Sequence, residues 1–271
     1  MIFVLLVILA LVLVLLYVIY SQLLTIKPST ETVTCIMITG KDSRRIEMAK
    51  RSVMNFQEQT YPHKTLVIMN HHPSKRVLSE SHPNIHEVMI QKTESLNLGD
   101  MRNMALELVR ENGLFMTWDD DDYRQATFLQ VMYKTLITNR ADLVAITNRY
   151  ELNLGNGFVW RTSLSTGFAH VLARNRPSIR YLSKESMEDL EFIADYKRHG
   201  LRVSSMQNDP LAYIRLVHAT NTSLYVDSEK RSIDRKYLES GSPYKEYEVD
   251  SKTRIKVIDI IKQKLNVAVQ V

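Results

Sequence analysis

Read by its apolar and polar positions, the chain changes period several times. From Ile2 to Tyr20 no residue is charged. That run is long enough to cross a hydrocarbon core as a helix. Tyr17 and Tyr20 stand where interfacial aromatics are found. A cleaved signal peptide would have a basic start, a shorter apolar core and a small-residue cleavage site. "MIFVLLVILALVLVLLYVIY" shows none of these clearly. The pattern therefore predicts a transmembrane anchor over 1–21, a polar stalk over 22–32 and a domain over 33–271 tethered to a membrane by a single pass. Lys27, Lys41, Arg44 and Arg45 against Glu31 lean towards a cytoplasmic domain, while the sequon Asn221-Thr222-Ser223 would matter only in a lumenal one. The side stays open.

Beyond the stalk, short apolar runs alternate with helical periodicity. "VTCIMIT" (33–39), "TLVIM" (65–69), "IHEVMI" (85–90) and "LFMTW" (114–118) have strand length and β-branched content. Between them, Ile46, Ala49, Val53 and Phe56 fall at helical spacing. In "DMRNMALELVRENG", Met101, Met104, Ala105, Leu108 and Val109 share a face, with Gly113 suited to the C-terminal cap. Continuous apolar strands alternating with helices predict an α/β fold with a doubly wound, mostly parallel sheet, whose ligands bind beyond the carboxyl ends of the strands. The later part is more mixed. "DLVAIT" (142–147), "GFAHVLA" (167–173) and "LAYIRLV" (211–217) read as strands. "SMEDLEFIADYKRHG" (186–200) and the basic tail from Lys252 read as helices.

Composition narrows this little. Charged residues are 24% of 271 and the net charge is +5, an ordinary globular balance with a slight pull towards phosphates or anionic lipid. The single cysteine, Cys35, excludes an intramolecular disulfide and a cysteine-rich zinc site. Inside an apolar run it reads as a small buried hydrophobe.

The chemistry concentrates where "LFMTW" runs into Asp119, Asp120, Asp121 and Asp122. Adjacent carboxylates repel, and more so beside a low-dielectric core. A hard divalent cation with oxygen ligands would compensate them, as would a solvated turn capping the next helix. A calcium loop fails, because Tyr123, Arg124 and Gln130 stand where it needs Asp or Asn, Gly and Glu. Glu188 and Asp189 could supply a general base, although acids also belong in a first helical turn, and Ser186 with Asp189 resembles a capping box. His218 ends a strand and could ligate a metal or bind phosphate, or be structural.

Together these stretches resemble the inverting glycosyltransferases of family 2, which have the Rossmann-like GT-A fold. The resemblance runs over about Val33 to Tyr225, through "CIMITGKDSRR", "SVMNFQEQTYPHKTLVIMN", "LNLGDMRNMALELVRENGLFMTWDDDD", "SMEDLEF" and "HATNTS", in the family's order. It implies a nucleotide-binding half over 33–125 and an acceptor or catalytic half over 126–271. The partners it implies are a nucleotide-sugar donor, UDP- or GDP-linked, and a hydroxyl acceptor on a glycan, lipid or protein, with no nucleic acid. Thr39, Arg102, Asp119 and Asp120 would lie on the nucleotide. Asp121, Asp122 and His218 would hold Mn²⁺ or Mg²⁺, and Asp189, assisted by Glu188, would deprotonate the acceptor. Two departures, Asn70-His71-His72 after the second strand and "TGKDSRR" without Tyr-Asn, leave the base contacts open. Two other functions fit the aspartates: a metal-dependent phosphohydrolase or nucleotidyltransferase, and a catalytically dead nucleotide-sugar-binding module on the membrane.

Overall fold

The computed structural model describes residues 31–40, 42–91, 96–164, 170–184, 188–206, 211–218, 244–266 and 269. The chain divides into two compact units, 1–31 and 32–271. The expected anchor, the Asn221 sequon and Ser186 lie outside the described residues. Among the described residues, no helix is long and apolar enough to cross a membrane.

In the second unit the first apolar runs become β1 (Val33–Thr39), β2 (Lys64–Asn70), β3 (Ile85–Met89) and β4 (Leu114–Thr117), separated by α1 (Ser43–Gln57) and α2 (Leu98–Glu107). Strands β3, β2, β1 and β4 pair in parallel in that order. Their side chains alternate between two layers, which is why both faces had to be apolar. Cys35 and Met37 pack with Ile46, Ala49, Val53 and Phe56 of α1. Ile36 packs with Ala105 and Leu106 of α2. Helix α2 starts at Asn97, whose side chain accepts from the Asp100 N–H while the Asp100 carboxylate accepts from the Asn97 N–H. It ends earlier than the periodicity predicts. Leu108 is 56% exposed, and Asn112, not Gly113, takes the left-handed φ of 58°.

The remaining elements are β5 (Tyr123–Arg124), α3 (Phe128–Thr138), β6 (Leu143–Ile146), β7 (Asn148–Asn153), β8 (Val159–Leu164), β9 (Val171–Arg174), α4 (Glu188–Arg198), β10 (Val203–Met206), β11 (Tyr213–Val217), β12 (Tyr244–Glu248) and α5 (Ser251–Leu265). A seven-stranded sheet runs β10-β6-β9-β4-β1-β2-β3. Helices α1 and α3 cover one face and α2 and α4 the other. The expectation of a mostly parallel sheet needs one correction, since β9 lies antiparallel between β4 and β6. A second sheet, β12-β8-β7-β11-β5, was not foreseen. Its pairings are antiparallel except β7 with β11. One face carries Leu152, Val159, Ile214 and Leu216 against Val257, Ile258 and Ile261 of α5. The other face mixes buried polar groups with Leu164 and Tyr213, which pack into the core under the first sheet. Glu151 is buried there, bonded to Arg149 Nε at 2.8 Å, Thr162 Oγ1 at 3.0 Å and Arg215 Nη1 at 3.1 Å.

The two sheets meet end to end. First-sheet strands β4, β6 and β10 are followed by second-sheet strands β5, β7 and β11. The carboxyl edge of the first sheet is therefore the seam with the second, and the four aspartates are the β4–β5 crossing.

Candidate active site

Helix α1 holds that crossing in place. Its inner face is apolar except at Ser52 and Asn55, both buried. Trp118 Nε1 donates to Ser52 Oγ at 2.9 Å, and Ser52 Oγ donates to the Asp119 carbonyl at 2.9 Å. Asn55 accepts from the Arg124 N–H at 2.9 Å and donates to its carbonyl at 2.6 Å. Both ends of the acidic segment are thereby fixed to one helix.

The aspartates separate into two groups. Arg45, in the first turn of α1, inserts its guanidinium between Asp120 and Asp121, 2.5 Å from Asp121 Oδ2. His218 Nε2 lies 3.1 Å from that same oxygen. Burial pushes the Asp121 carboxyl up, but Arg45 and His218 outweigh it and hold the group well below the usual carboxylate range. Asp120 goes the other way, raised by burial that Arg45 only partly offsets and by the neighbouring Asp121 charge. Thr39, buried at the end of β1, donates to the Arg45 carbonyl at 3.4 Å. Beside it Gly40 has φ +116°, and a Cβ there would lie 2.4 Å from Asn70 Oδ1 and 2.5 Å from the His72 nitrogen. Only glycine lets β1 turn towards the aspartates so close to β2.

Asp119 and Asp122 face His170, which precedes β9. Asp122 Oδ1 accepts from the Leu216 N–H at 2.9 Å and Oδ2 from the Tyr213 hydroxyl. Burial and the charges of Asp121 and Asp119 push its carboxyl up to about 7. The His170 ring is buried, with Nε2 on the Tyr213 hydroxyl and Nδ1 3.3 Å from Asp119 Oδ2. Burial, then Arg124 and Arg149, drive its pKa well below 6.5, so the ring is neutral. Arg124 is wholly buried between the Trp118 and Tyr213 rings, 4.3 and 5.1 Å from their centroids.

A third group joins this cluster to α4. Arg102, on α2, pairs with buried Glu188 and reaches Asp119 Oδ1 at 3.8 Å. Burial raises the Glu188 carboxyl and Arg102 opposes the rise. Asp189, half-buried in the first turn of α4, accepts from the Leu190 N–H at 2.7 Å. Asp119 to Asp122 with Glu188 make five carboxylates, and Arg45, Arg102 and Arg124 make three guanidiniums. Burial and mutual repulsion raise Asp120 and Asp122, and a divalent cation beside them would favour their ionised forms.

One place among the described residues suits such a cation. Asp119, Asp122 and His170 each offer an atom, and these atoms lie within 4.8 Å of one another. A cation with bonds of about 2.1 Å places its ligands roughly 3.0 Å apart in cis and 4.2 Å in trans. His170 Nδ1 and Asp119 Oδ2, 3.3 Å apart, are already close to the cis spacing. The His170 Nδ1 is buried without a hydrogen-bond partner. The two carboxylates are ligands of the kind Mn²⁺ and Mg²⁺ take, whereas an imidazole is more usual on Zn²⁺, Cu²⁺ or Fe²⁺.

No family model and no curated protein matches this sequence. Solved structures do. TarS 1–349 of S. aureus in complex with UDP-GlcNAc aligns over 72% of this chain and 62% of its own, with a TM-score of 0.54 and 16% identity. Its complex with UDP aligns over 69% and 60%, with a TM-score of 0.52 and 15% identity. A longer TarS structure aligns over 69% of this chain and 37% of its own, with a TM-score of 0.51. This chain has a GT-A-like glycosyltransferase fold. It spans about three-fifths of the length of TarS 1–349.

Within this glycosyltransferase fold, the residues singled out from sequence converge. Asp120, Asp121, His218 and Thr39 gather round Arg45, and Asp119, Asp122 and Glu188 are joined through Arg102, His170 and Tyr213, with Asp189 next to Glu188 at the start of α4. Asp121 and His218 are engaged by Arg45 and by each other, and Asp122 also faces His170. Sequence reading passed over Arg45, Arg124, His170 and Tyr213. Arg45 sat in the quoted turn "TGKDSRR", so its place was visible. His170 and Tyr213, inside apolar runs, gave no spacing signal.

Proposed function

We propose that this chain is an inverting glycosyltransferase that moves a sugar from a nucleotide-sugar donor to a hydroxyl on a glycan, lipid or protein, with Mn²⁺ or Mg²⁺ at the aspartates. One observation carries the reading: the Asp119–Asp122–His170 cluster stands at the strand ends of a glycosyltransferase fold, joined through Arg102 to the Glu188–Asp189 pair. The likeness to a protein crystallised with UDP-GlcNAc supports a UDP-sugar as the first donor to test. A cation held by Asp119, Asp122 and His170 would offset the charge that builds on the leaving diphosphate. Arg45, already turned to anionic groups, is placed to meet phosphate oxygens. Asp189 takes the acceptor proton as the hydroxyl attacks the anomeric carbon from the face opposite the leaving group. Arg102 holds Glu188 beside it and ties that helix end to Asp119.

The test is a thermal-shift series on the full chain with UDP, GDP, CDP and their sugar conjugates, with and without Mn²⁺. One nucleotide class should raise the melting temperature, and only with the cation. Asp189→Asn should keep that shift and lose about 10²–10⁴-fold in transfer, the usual contribution of a general base. Transfer at the wild-type rate by this variant, or no shift with any nucleotide, sinks the reading.

A further inference from the structure

Tyr213 stands at the inner end of the cation cluster. Its hydroxyl meets both Asp122 Oδ2 and His170 Nε2, and its ring lies against the imidazole with centroids 4.1 Å apart. All three side chains are buried, so water is a poor substitute for these bonds. A phenol has one proton to give. With Asp122 ionised, as a ligand of the cation must be, the proton goes to that carboxylate and the phenol oxygen meets Nε2 only as an acceptor. The imidazole proton is then on Nε2, and Nδ1 is bare. The opposite arrangement would put the proton on Nδ1 and have it donate to Asp119. That contact, at 3.3 Å, lacks hydrogen-bond alignment, and Nδ1 has no hydrogen-bond partner. A buried lone pair that faces a carboxylate oxygen is unfavourable unless a cation comes between them.

We propose that Tyr213 is a positioning residue: it fixes His170 in the Nε2–H tautomer and so aims a bare Nδ1, as third ligand, at the cation held by Asp119 and Asp122. The inference rests on the cation reading above and adds who orients the ligand. The partner that fixes a histidine tautomer is usually a carboxylate, a carbonyl or water, and its loss weakens metal binding by about 10–100-fold. Here a phenol takes that place, and it holds a second ligand, Asp122, through the same proton. Tyr213→Phe removes only the hydroxyl. The ring keeps its contacts with Phe128 at 5.9 Å and with Arg124 at 5.1 Å, and Asp122 keeps the Leu216 N–H.

The experiment reads two quantities on the full chain. Long-range ¹H–¹⁵N spectra of the ¹⁵N-histidine protein without cation, taken at about pH 8.5 so that Asp122 is ionised, report the His170 tautomer, with His170→Gln to assign the signal. The electron paramagnetic resonance signal of unbound Mn²⁺ reports affinity. Wild type should show His170 protonated on Nε2. Tyr213→Phe should show mixed tautomers and bind Mn²⁺ about 10–100-fold more weakly. His170 protonated on Nδ1 in the wild type overturns the proposal without any variant. So does an unchanged Mn²⁺ affinity in Tyr213→Phe. No Mn²⁺ binding by the wild type overturns the cation reading and this inference with it, whereas wild-type binding with an unaffected variant overturns this inference alone.

Discussion

Arg45 answers the question that four adjacent aspartates raise, because their repulsion is offset first by guanidiniums of the chain itself. Removing one partner of a buried pair strands the other charge, at a cost of about 3–5 kcal/mol. Arg45→Met should therefore lower unfolding stability by about that much in the absence of divalent cations, measured by urea denaturation. A change below about 1 kcal/mol would mean that water screens Asp120 and Asp121. Of this compensation, the carboxylates and Arg102 were singled out in the sequence, but not the pairing between them. The carboxylates stand together after a strand, whereas Arg45, Arg102 and Arg124 lie on α1, α2 and β5 and meet only in the fold. Cys35 shows the opposite case, a role read correctly from its neighbours. Burial pushes its thiol from 9.0 up to about 12. The native state thus keeps the proton that the unfolded chain loses, and stability contributed by this group falls as pH rises above about 9, by roughly 1.4 kcal/mol per unit. Iodoacetamide at pH 8 should label Cys35 only as fast as the protein unfolds. Rapid labelling of the native protein would contradict its burial.

At the scale of elements, α1 does more than cover the sheet. Asn55 bonds both backbone groups of Arg124 and is the main tie between this helix and β5. Asn55→Ala should orphan those groups, at about 1–3 kcal/mol each. It should also accelerate amide exchange in β5 and β11 before it affects β1 or β2. Uniform acceleration across both sheets would argue against such a local tie. Elements apolar on two faces were readable in advance, as β1, β2 and β4 were. Of the second sheet β11 was read in advance; β7 and β8 escaped because they present Arg149, Glu151 and Thr162 on one face, and β5 is two residues long. Strands of that kind give no continuous apolar run, and α5, which completes their core, comes last in the described chain.

The molecule as a whole depends on that late helix. Ile261 of α5 is wholly buried against the second sheet. Ile261→Ala should cost about 2–5 kcal/mol by denaturant titration, and a smaller loss would mean the sheet closes over the gap. The seam between the sheets has a mechanical side as well. Five residues, 118–122, connect β4 to β5, and fully extended they reach at most roughly 18 Å. The two layers cannot swing apart without drawing Asp119 away from Asp122 and His170. A cation shared by those three would act as a rivet through the seam, so that loading the site and stiffening the whole body become one event. A protease or an optical trap would then sense manganese as readily as any assay of turnover.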